Sequence, residues 1–300
     1  MTVAGRILQS VLYADIFEHP MTEREVWRWM PTHVRISKTV FHKELMRLVG
    51  QKKVAALTPF VVIPTHKKYL GIHASRLMVS QKKWKIAYKV ANILRIVPTI
   101  LFVGVTGSLA MNNADDHDDV DLCIVTAKHT VWITRCITTL IVEVVAHRRH
   151  PNTVETKDTI CLNMFLSEAA LHMNTEHQDV YIAHELLQMM PLWERKGITK
   201  KLLRVNDWVR MRYRHAYEEK MNSVVPRLPQ HNALKRVLQL FEKPAMRLQL
   251  LYMKSKRTTE EVTDDQIRFH PTNIRGMVID TYRRALKSYK IPLDNTRSRF

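Results

Sequence analysis

The sequence predicts an α/β fold of the α+β kind, in which a central unit with a mixed β-sheet lies between two largely helical units. In the middle of the chain, apolar β-rich runs alternate with amphipathic helical stretches. Glycine accounts for only 7 of 300 residues, which favours helix over a glycine-rich all-β chain. The formal charge is +12 over residues 1–100, −8 over residues 101–194 and +15 over residues 195–300. This shift in charge predicts three units, at residues 1–78, 79–175 and 176–300.

Residues 1–78 predict three short helices and a small hairpin, an arrangement that resembles a winged helix. Thr22 and Glu25 form a capping-box pattern at the start of the second helix. Ser37 is a favourable N-cap for the third helix, which ends at Gly50. The predicted helices cover residues 6–17, 22–29 and 37–50, and the β-rich runs cover residues 54–57, 60–63 and 69–72.

The third of these helices has a basic polar side, formed by Lys38, His42, Lys43 and Arg47. A helix that reads a nucleic-acid groove has this character. Packing of the unit against the rest of the chain, or against another protein, would explain the same pattern. Both interpretations remain open from the sequence.

Residues 79–175 predict the central sheet and the helices that cover it. A basic amphipathic helix over residues 81–96 ends before Pro98. Apolar strands follow at residues 99–105, 120–126 and 159–166, with a helix over residues 131–146 between the second and the third.

Residues 176–300 predict a helical bundle and contain no catalytic motif of their own. Prolines at positions 191, 226, 229 and 271 separate the amphipathic stretches. The predicted helices cover residues 180–190, 199–219, 232–254 and 273–289.

The motif with clear chemical meaning lies in the central unit. Gly107 and Ser108 follow the first strand, and Asp119 and Asp121 open the second strand about ten residues later. Side chains two apart on a strand point to the same face, so the two carboxylates project together and repel each other unless a cation binds between them. This predicts a Mg²⁺ site at Asp119 and Asp121, and the alternative is a solvated acidic turn. Glycine allows the backbone to approach a phosphate, whose oxygens Ser108 and nearby N–H groups can bind.

Gly-Ser followed by Asp-x-Asp on the next strand resembles the signature of the nucleotidyltransferase superfamily that includes DNA polymerase beta. The resemblance covers roughly residues 80–170, and the whole layout is similar to uncharacterised prokaryotic members that have a small helical N-terminal unit and a helical tail. It implies a nucleotidyltransferase core, an NTP substrate, and Mg²⁺ or Mn²⁺ at Asp119 and Asp121. It further implies that Gly107 and Ser108 hold the triphosphate while a nucleoside monophosphate moves to an acceptor and pyrophosphate is released.

The third carboxylate of that family corresponds here to Asn163, in the third strand. Asparagine has no charge and does not act as a base, so the resemblance implies either a weakened catalytic site or an inactive one. Asp158 opens the same strand five residues earlier, and an odd spacing directs it to the opposite face unless the strand contains a bulge. His184 and Glu185 are further candidates for the border of the site.

The partners follow from the charge and from the motif. The acceptor is RNA, a small molecule or a protein side chain, and the sequence does not distinguish them; its basic flanks make RNA or DNA a possible partner. The alternative function is a catalytically silent module of the same fold that binds nucleic acid through those flanks. Oligomeric state stays open.

The expected location is the cytoplasm. The three cysteines have no paired spacing and lie in apolar runs, as buried thiols do in a reducing compartment. The first 20 residues lack the pattern of a signal peptide. The longest apolar stretch, residues 131–146, is interrupted by Arg135 and Glu143, which predicts a core helix and no membrane partner.

Overall fold

The computed structural model describes residues 1–150, 155–230, 233–253, 261–268 and 272–292, and two β-sheets organise them. The fold is mixed α/β, as predicted. Its strands are β1 Met21–Thr22, β2 Ala55–Leu57, β3 Phe60–Val62, β4 Ile100–Val105, β5 Val120–Thr126, β6 Ile160–Ser167, β7 Met190–Glu194, β8 Glu261–Val262 and β9 Gln266–Arg268. Its helices are α1 Val3–Asp15, α2 Glu23–Arg28, α3 Lys38–Gly50, α4 Tyr69–Ile93, α5 Gly107–Ala110, α6 Val131–Val145, α7 Val180–Gln188, α8 Ile198–Val205, α9 Trp208–Arg212, α10 Arg214–Asn222, α11 Ala233–Leu240, α12 Glu242–Met253 and α13 Thr272–Ser288.

The small sheet belongs to the N-terminal part of the chain and has the strand order β1-β3-β2. All its pairs are antiparallel, and β2 and β3 form the predicted hairpin. The capping box of Thr22 and Glu25 is present, and the Ser37 side chain caps α3 through the N–H of Val40. These local signals therefore set the starts of α2 and α3 as predicted.

Helix α4 differs from its prediction at its N-terminal end. It begins at Tyr69, so the strand predicted at residues 69–72 is wrong, and the helix runs without a break through residue 78. Tyr69 is buried in the first turn of this helix, so packing of that turn outweighs the β propensity of four residues. One rigid element thus links the N-terminal part to the central sheet.

The large sheet has the strand order β7-β4-β5-β6-β9-β8, in which β5 and β6 are parallel and the other pairs are antiparallel. Side chains alternate between its two faces. Val103, Ile124 and Phe165 pack on one face with residues of α4, α6 and α12. Leu101, Val125 and Leu166 pack on the other with residues of α1, α7, α8 and α13. Helices therefore cover both faces of the sheet, which buries the middle strands.

The third segment is not purely helical, because it supplies β7, β8 and β9 to the large sheet. The helix predicted to reach residue 190 ends at Gln188, and the chain continues as edge strand β7. Pro191 is compatible with this position, since an edge strand leaves N–H groups without a sheet partner. The helix predicted over residues 199–219 divides into α8, α9 and α10, and the one predicted over residues 232–254 divides into α11 and α12.

Within the described part of the chain, no helix has both the length and the apolar character that a membrane span requires.

Candidate functional site

The two predicted metal ligands lie where β5 begins. Asp119 immediately precedes β5, Asp121 is its second residue, and the parallel register aligns Asp121 with Cys161 of β6. One oxygen of each carboxylate and the Cys161 sulfur all lie within 4.8 Å of one another. Three potential ligand atoms at this spacing can hold a metal ion, and the two carboxylates suit Mg²⁺ or Mn²⁺.

Arg149 binds one of these carboxylates. Its Nη1 donates to Oδ2 of Asp119 at 2.6 Å, and the Asp119 side chain is 11% exposed against 47% for the guanidinium. The backbone N–H of Arg149 donates to the carbonyl of Ile160 at 2.9 Å, which fixes this loop beside the start of β6. A positive charge therefore already lies beside the acidic pair, on its more exposed side.

Asp121, like Asp119, is half-buried. Burial raises its pKa, and the negative charge of Asp119 raises it further. Burial also raises the pKa of the Cys161 thiol, and that thiol is hydrogen bonded to Asp121. Cys161 is therefore a neutral thiol at neutral pH, and it supplies neither a negative charge nor a base.

Gly107 fits this place for two reasons. Its φ of +67° lies in the left-handed region, and a Cβ at this position would stand 2.8 Å from Oδ2 of Asp121. The Ser108 hydroxyl donates to Oδ2 of Asp118 at 2.6 Å. The Gly-Ser turn and the acidic pair are thus in direct proximity, while the Ser108 hydroxyl proton is already used within the acidic loop.

The acidic loop is held by a lysine that sequence reasoning missed. Lys83 of α4 has a fully buried side chain, and its Nζ donates to the carbonyls of Asp116 at 3.3 Å and of Asp118 at 2.6 Å. The same Nζ lies 3.1 Å from Oδ1 of Asp158, so Asp158 serves as the counter-ion of this lysine. In the sequence, this buried lysine is indicated by its helical spacing to small and apolar residues, Ser80, Ala87 and Val90.

Asn163 lies further along β6. The register aligns Asp121 with Cys161 and Cys123 with Met164, so β6 contains one extra residue, a bulge, between these two pairs. Cys161 therefore takes the position beside Asp121, and Asn163 follows two residues later, buried at 4% exposure. The catalytic role predicted for Asn163 stays a prediction.

A cavity of about 260 Å³ adjoins the site. Gly107, Ser108 and Asp121 form part of its wall, and residues of α1 and α7 form half of the remainder. Glu185 of α7 lines it as well, and burial raises the pKa of this carboxyl to about 7. The charge of Glu185 also raises the pKa of Asp121, so the two carboxyl groups interact electrostatically.

His184 connects the elements around this cavity. Its ring stacks on Tyr13 at 3.8 Å and on Trp29 at 4.7 Å between ring centroids. Its Nε2 is 3.0 Å from the Tyr213 hydroxyl, and its Nδ1 is 3.2 Å from the amide nitrogen of Gln188. Burial lowers the pKa of His184 well below its usual range, so the ring is neutral and holds α1, α2 and α7 together.

No family model matches the chain, and comparisons with curated proteins and with solved structures also find no match. The possible chemistry of the site is therefore inferred from its own side chains alone. They offer ligands for a divalent cation, an arginine beside those ligands, and a carboxyl group of near-neutral pKa in the adjoining cavity.

Proposed function

We propose that this chain is a nucleotidyltransferase that uses Mg²⁺ or Mn²⁺ and whose core, β4–α5–β5–α6–β6, is of the DNA polymerase beta type. The observation that carries the proposal is the close approach of the turn at Gly107 to the half-buried carboxylate of Asp121, with Asp119 at its side. A backbone turn that approaches a carboxylate pair this closely brings an anion-binding segment next to a cation site. Phosphoryl transfer requires these two parts.

In this proposal each side chain has one role. Asp119 and Asp121 hold the cation, which when bound neutralises charge on the triphosphate. The guanidinium of Arg149, on the exposed side of Asp119, binds a phosphate oxygen. The acceptor hydroxyl oxygen forms a bond to the α-phosphorus while the bond from that phosphorus to its bridging oxygen breaks, and pyrophosphate leaves with the electron pair.

The hydroxyl proton needs an acceptor, and neither Cys161 nor Asn163 is a base. Glu185 is a candidate, because it lines the cavity that Asp121 also lines. Its pKa of about 7 suits proton transfer near neutral pH. We therefore assign the general base to Glu185, on a helix outside the core strands.

The test combines activity with metal binding. Pure protein is incubated with each labelled NTP and Mg²⁺ or Mn²⁺, with and without total RNA, and pyrophosphate and labelled product are measured. The double variant Asp119→Asn, Asp121→Asn should release no pyrophosphate and should lose the stabilisation by metal, roughly 1–3 kcal/mol at saturation. Asp280→Asn is the matched control, because this carboxylate is 67% exposed and pairs with Arg283 on the same helix. An unchanged metal response in the double variant would refute the site.

A second candidate function is nucleic-acid binding by the N-terminal unit. Its element order, α1-β1-α2-α3-β2-β3, supports a winged-helix-like arrangement, and Lys38, His42, Lys43 and Arg47 of α3 are exposed. Two of them already have acidic partners, since His42 contacts Glu23 and Arg47 contacts Glu44.

The test of this second function is salt dependence. If α3 contacts phosphates, the logarithm of the affinity for a labelled oligonucleotide falls linearly with the logarithm of salt concentration. Lys43→Ala should then reduce that slope by about 1. Binding that ignores salt would exclude this function.

A further inference from the structure

Helices α6 and α12 lie against each other on one face of the large sheet. Glu242, at the start of α12, accepts hydrogen bonds from the backbone N–H groups of Trp132 and Ile133, each at 2.9 Å. Gln249, two turns further along α12, donates to the carbonyl of Trp132 at 2.8 Å. Both helices bury apolar residues in the core on this face of the sheet. Their opposite sides therefore point to solvent on the same side of the protein.

Apolar side chains are exposed on that outer side at helical spacing. Leu140 and Val144 lie one turn apart on α6. Leu248, Leu251 and Tyr252 have the i, i+3, i+4 spacing on α12. Val144 is 85% exposed and Leu251 is 71% exposed. Scattered exposed apolar residues are ordinary in a protein, whereas a row on each of two packed helices is not. We refer to these five residues as the apolar patch.

The segment that contains the α12 part of the apolar patch is strongly basic. Residues 234–257 contain seven lysines and arginines and one acidic residue, Glu242. Glu242 is half-buried and is bonded to the first turn of α6. Lys243 and Arg247 of α12 are exposed. Basic side chains therefore accompany the apolar side chains on the outer side of α12.

Helix α4 adds positive charge on the same side of the protein. It packs in the same core as α6 and α12, and Lys82, Lys85 and Lys89 are exposed on its outer side. The exposed acidic residue of α6, Glu143, is paired with Arg148 at 2.6 Å. The described outer side of these three helices is thus both positively charged and apolar.

This combination of charge and apolar area favours one kind of partner. A second copy of the chain would bring its lysines against these lysines, and the net charge of +19 opposes such pairing. A nucleic acid would match the charge, but leucine and valine offer a base neither a hydrogen bond nor an aromatic face. A membrane with anionic lipids matches both features, because its headgroups attract lysine and arginine and its acyl region accepts aliphatic side chains.

We propose that the outer side of α4, α6 and α12 docks on the surface of an anionic membrane, with the apolar patch inserted at the boundary between headgroups and acyl chains. Helices that lie in this boundary need an apolar side and basic neighbours, and they do not need the length of a span. The sequence-based prediction of no membrane partner concerned a span, so it does not address this mode of binding. The inference is independent of the proposed function, because no residue of the apolar patch belongs to the proposed metal site.

Sedimentation of the full chain with lipid vesicles tests the docking. One set of vesicles consists of phosphatidylcholine, and in the other about 30% of this lipid is replaced by phosphatidylserine. At about 0.1 M salt, the anionic vesicles should bind the protein at least about tenfold more tightly than the neutral ones. Equal binding to the two sets, or no binding to the anionic vesicles at about 1 mM lipid, would overturn the proposal.

A pair of double variants separates the apolar patch from the general charge of the protein. Val144→Ser with Leu251→Ser removes two exposed members of the patch and leaves the net charge unchanged. The control is Met211→Ser with Val224→Ser, which removes apolar side chains that are 64% and 96% exposed outside these three helices. The patch variant should bind anionic vesicles at least about tenfold more weakly than the control, because membrane affinity follows the buried apolar area. Equal affinities would mean that charge alone binds the vesicles, and the patch would then have no part in docking.

A second pair of variants tests the basic neighbours. Lys243→Gln with Arg247→Gln removes two positive charges beside the apolar patch. Lys53→Gln with Lys67→Gln removes two exposed positive charges from the N-terminal part of the chain. The first variant should bind anionic vesicles at least about fivefold more weakly than the second, because only charges near the lipid surface contribute strongly. Identical binding of the two would contradict the orientation proposed here.

The remaining measurement concerns a second copy as the occupant. In sedimentation velocity without lipid, the wild-type chain and the variant Val144→Ser with Leu251→Ser should have the same state of association. Self-association that this variant abolishes and the serine control keeps would assign the apolar patch to a second copy and overturn the proposal. All substituted positions are exposed, so thermal melting should remain cooperative in every variant.

Discussion

Replacing Lys83 with methionine tests how the acidic loop is held. Methionine is also unbranched, is one heavy atom shorter than lysine, and removes the ammonium. The carbonyls of Asp116 and Asp118 then lose their donor, and Asp158, which is 43% exposed, rehydrates. A hydrogen bond from a charged donor contributes about 1.5–3 kcal/mol, and the burial of an uncharged side chain offsets part of this loss. We expect Lys83→Met to lower the free energy of unfolding by about 2–4 kcal/mol.

The matched control is Lys82→Met, one residue earlier on the exposed side of the same helix. This substitution should change stability by less than about 0.5 kcal/mol. Unfolding in urea, followed by tryptophan fluorescence and by circular dichroism, gives both values, and agreement of the two probes checks that the transition is cooperative.

A second readout connects this lysine to the site. Because Asp118 binds Ser108 and immediately precedes Asp119, release of the loop should weaken Mn²⁺ binding in Lys83→Met and not in Lys82→Met. Equal stabilities of the two methionine variants, within about 0.5 kcal/mol, would refute the view that this ammonium anchors the loop.

Three further outcomes follow from the site. Arg149→Ala should tighten Mn²⁺ binding in the absence of nucleotide, because it removes a guanidinium 2.6 Å from an oxygen of Asp119; weaker binding in a metal titration would contradict this. Gly107→Ala should destabilise by more than about 1 kcal/mol, since its φ is +67° and its Cβ would stand 2.8 Å from a carboxylate oxygen. Gly276→Ala, in open space within a helix, should stabilise by up to about 1 kcal/mol in the same melting assay. Burial raises the pKa of Glu185 from 4.5 to about 7, so the folded state binds this proton more tightly and metal-free stability should fall by up to about 3 kcal/mol as pH rises from about 4.5 through 7. Glu185→Gln should remove the part of that fall that Glu185 contributes and leave the part that the raised pKa of Asp121 contributes, as urea titrations at several pH values would reveal.

Local signals explain what the sequence could predict. The caps at Thr22 and Ser37 and the alternation of apolar residues in β5 act over a few residues, so they can be read without knowledge of the fold. The proximity of Asp119 and Asp121 is of the same kind, since it follows from the geometry of one strand. All of these features appear in the structure.

The features that were missed depend on contacts between distant segments. Residues 190–194 form a strand because they pair with the edge of β4. No pattern within those five residues predicts this strand. The position beside Asp121 depends on the register of two parallel strands and on a bulge in β6, which is why the motif indicated Asn163 and the sheet brings Cys161. Lys83 and Asp158 are 75 residues apart, and a pairing at that distance has no local pattern.

The net charge of the chain does not describe its surface and the cavity beside Asp121 equally well. A net charge of +19 describes the surface of this protein, where most lysines and arginines are found, and attraction of polyanions to that surface stays a prediction. Among the described residues, the wall of the cavity beside Asp121 contains two carboxyl groups and two histidines, His19 and His184, but no lysine or arginine. Arg149 marks the boundary between the two environments, on the exposed side of Asp119. In the proposed function, an anionic donor substrate would reach the carboxylate pair from this arginine side.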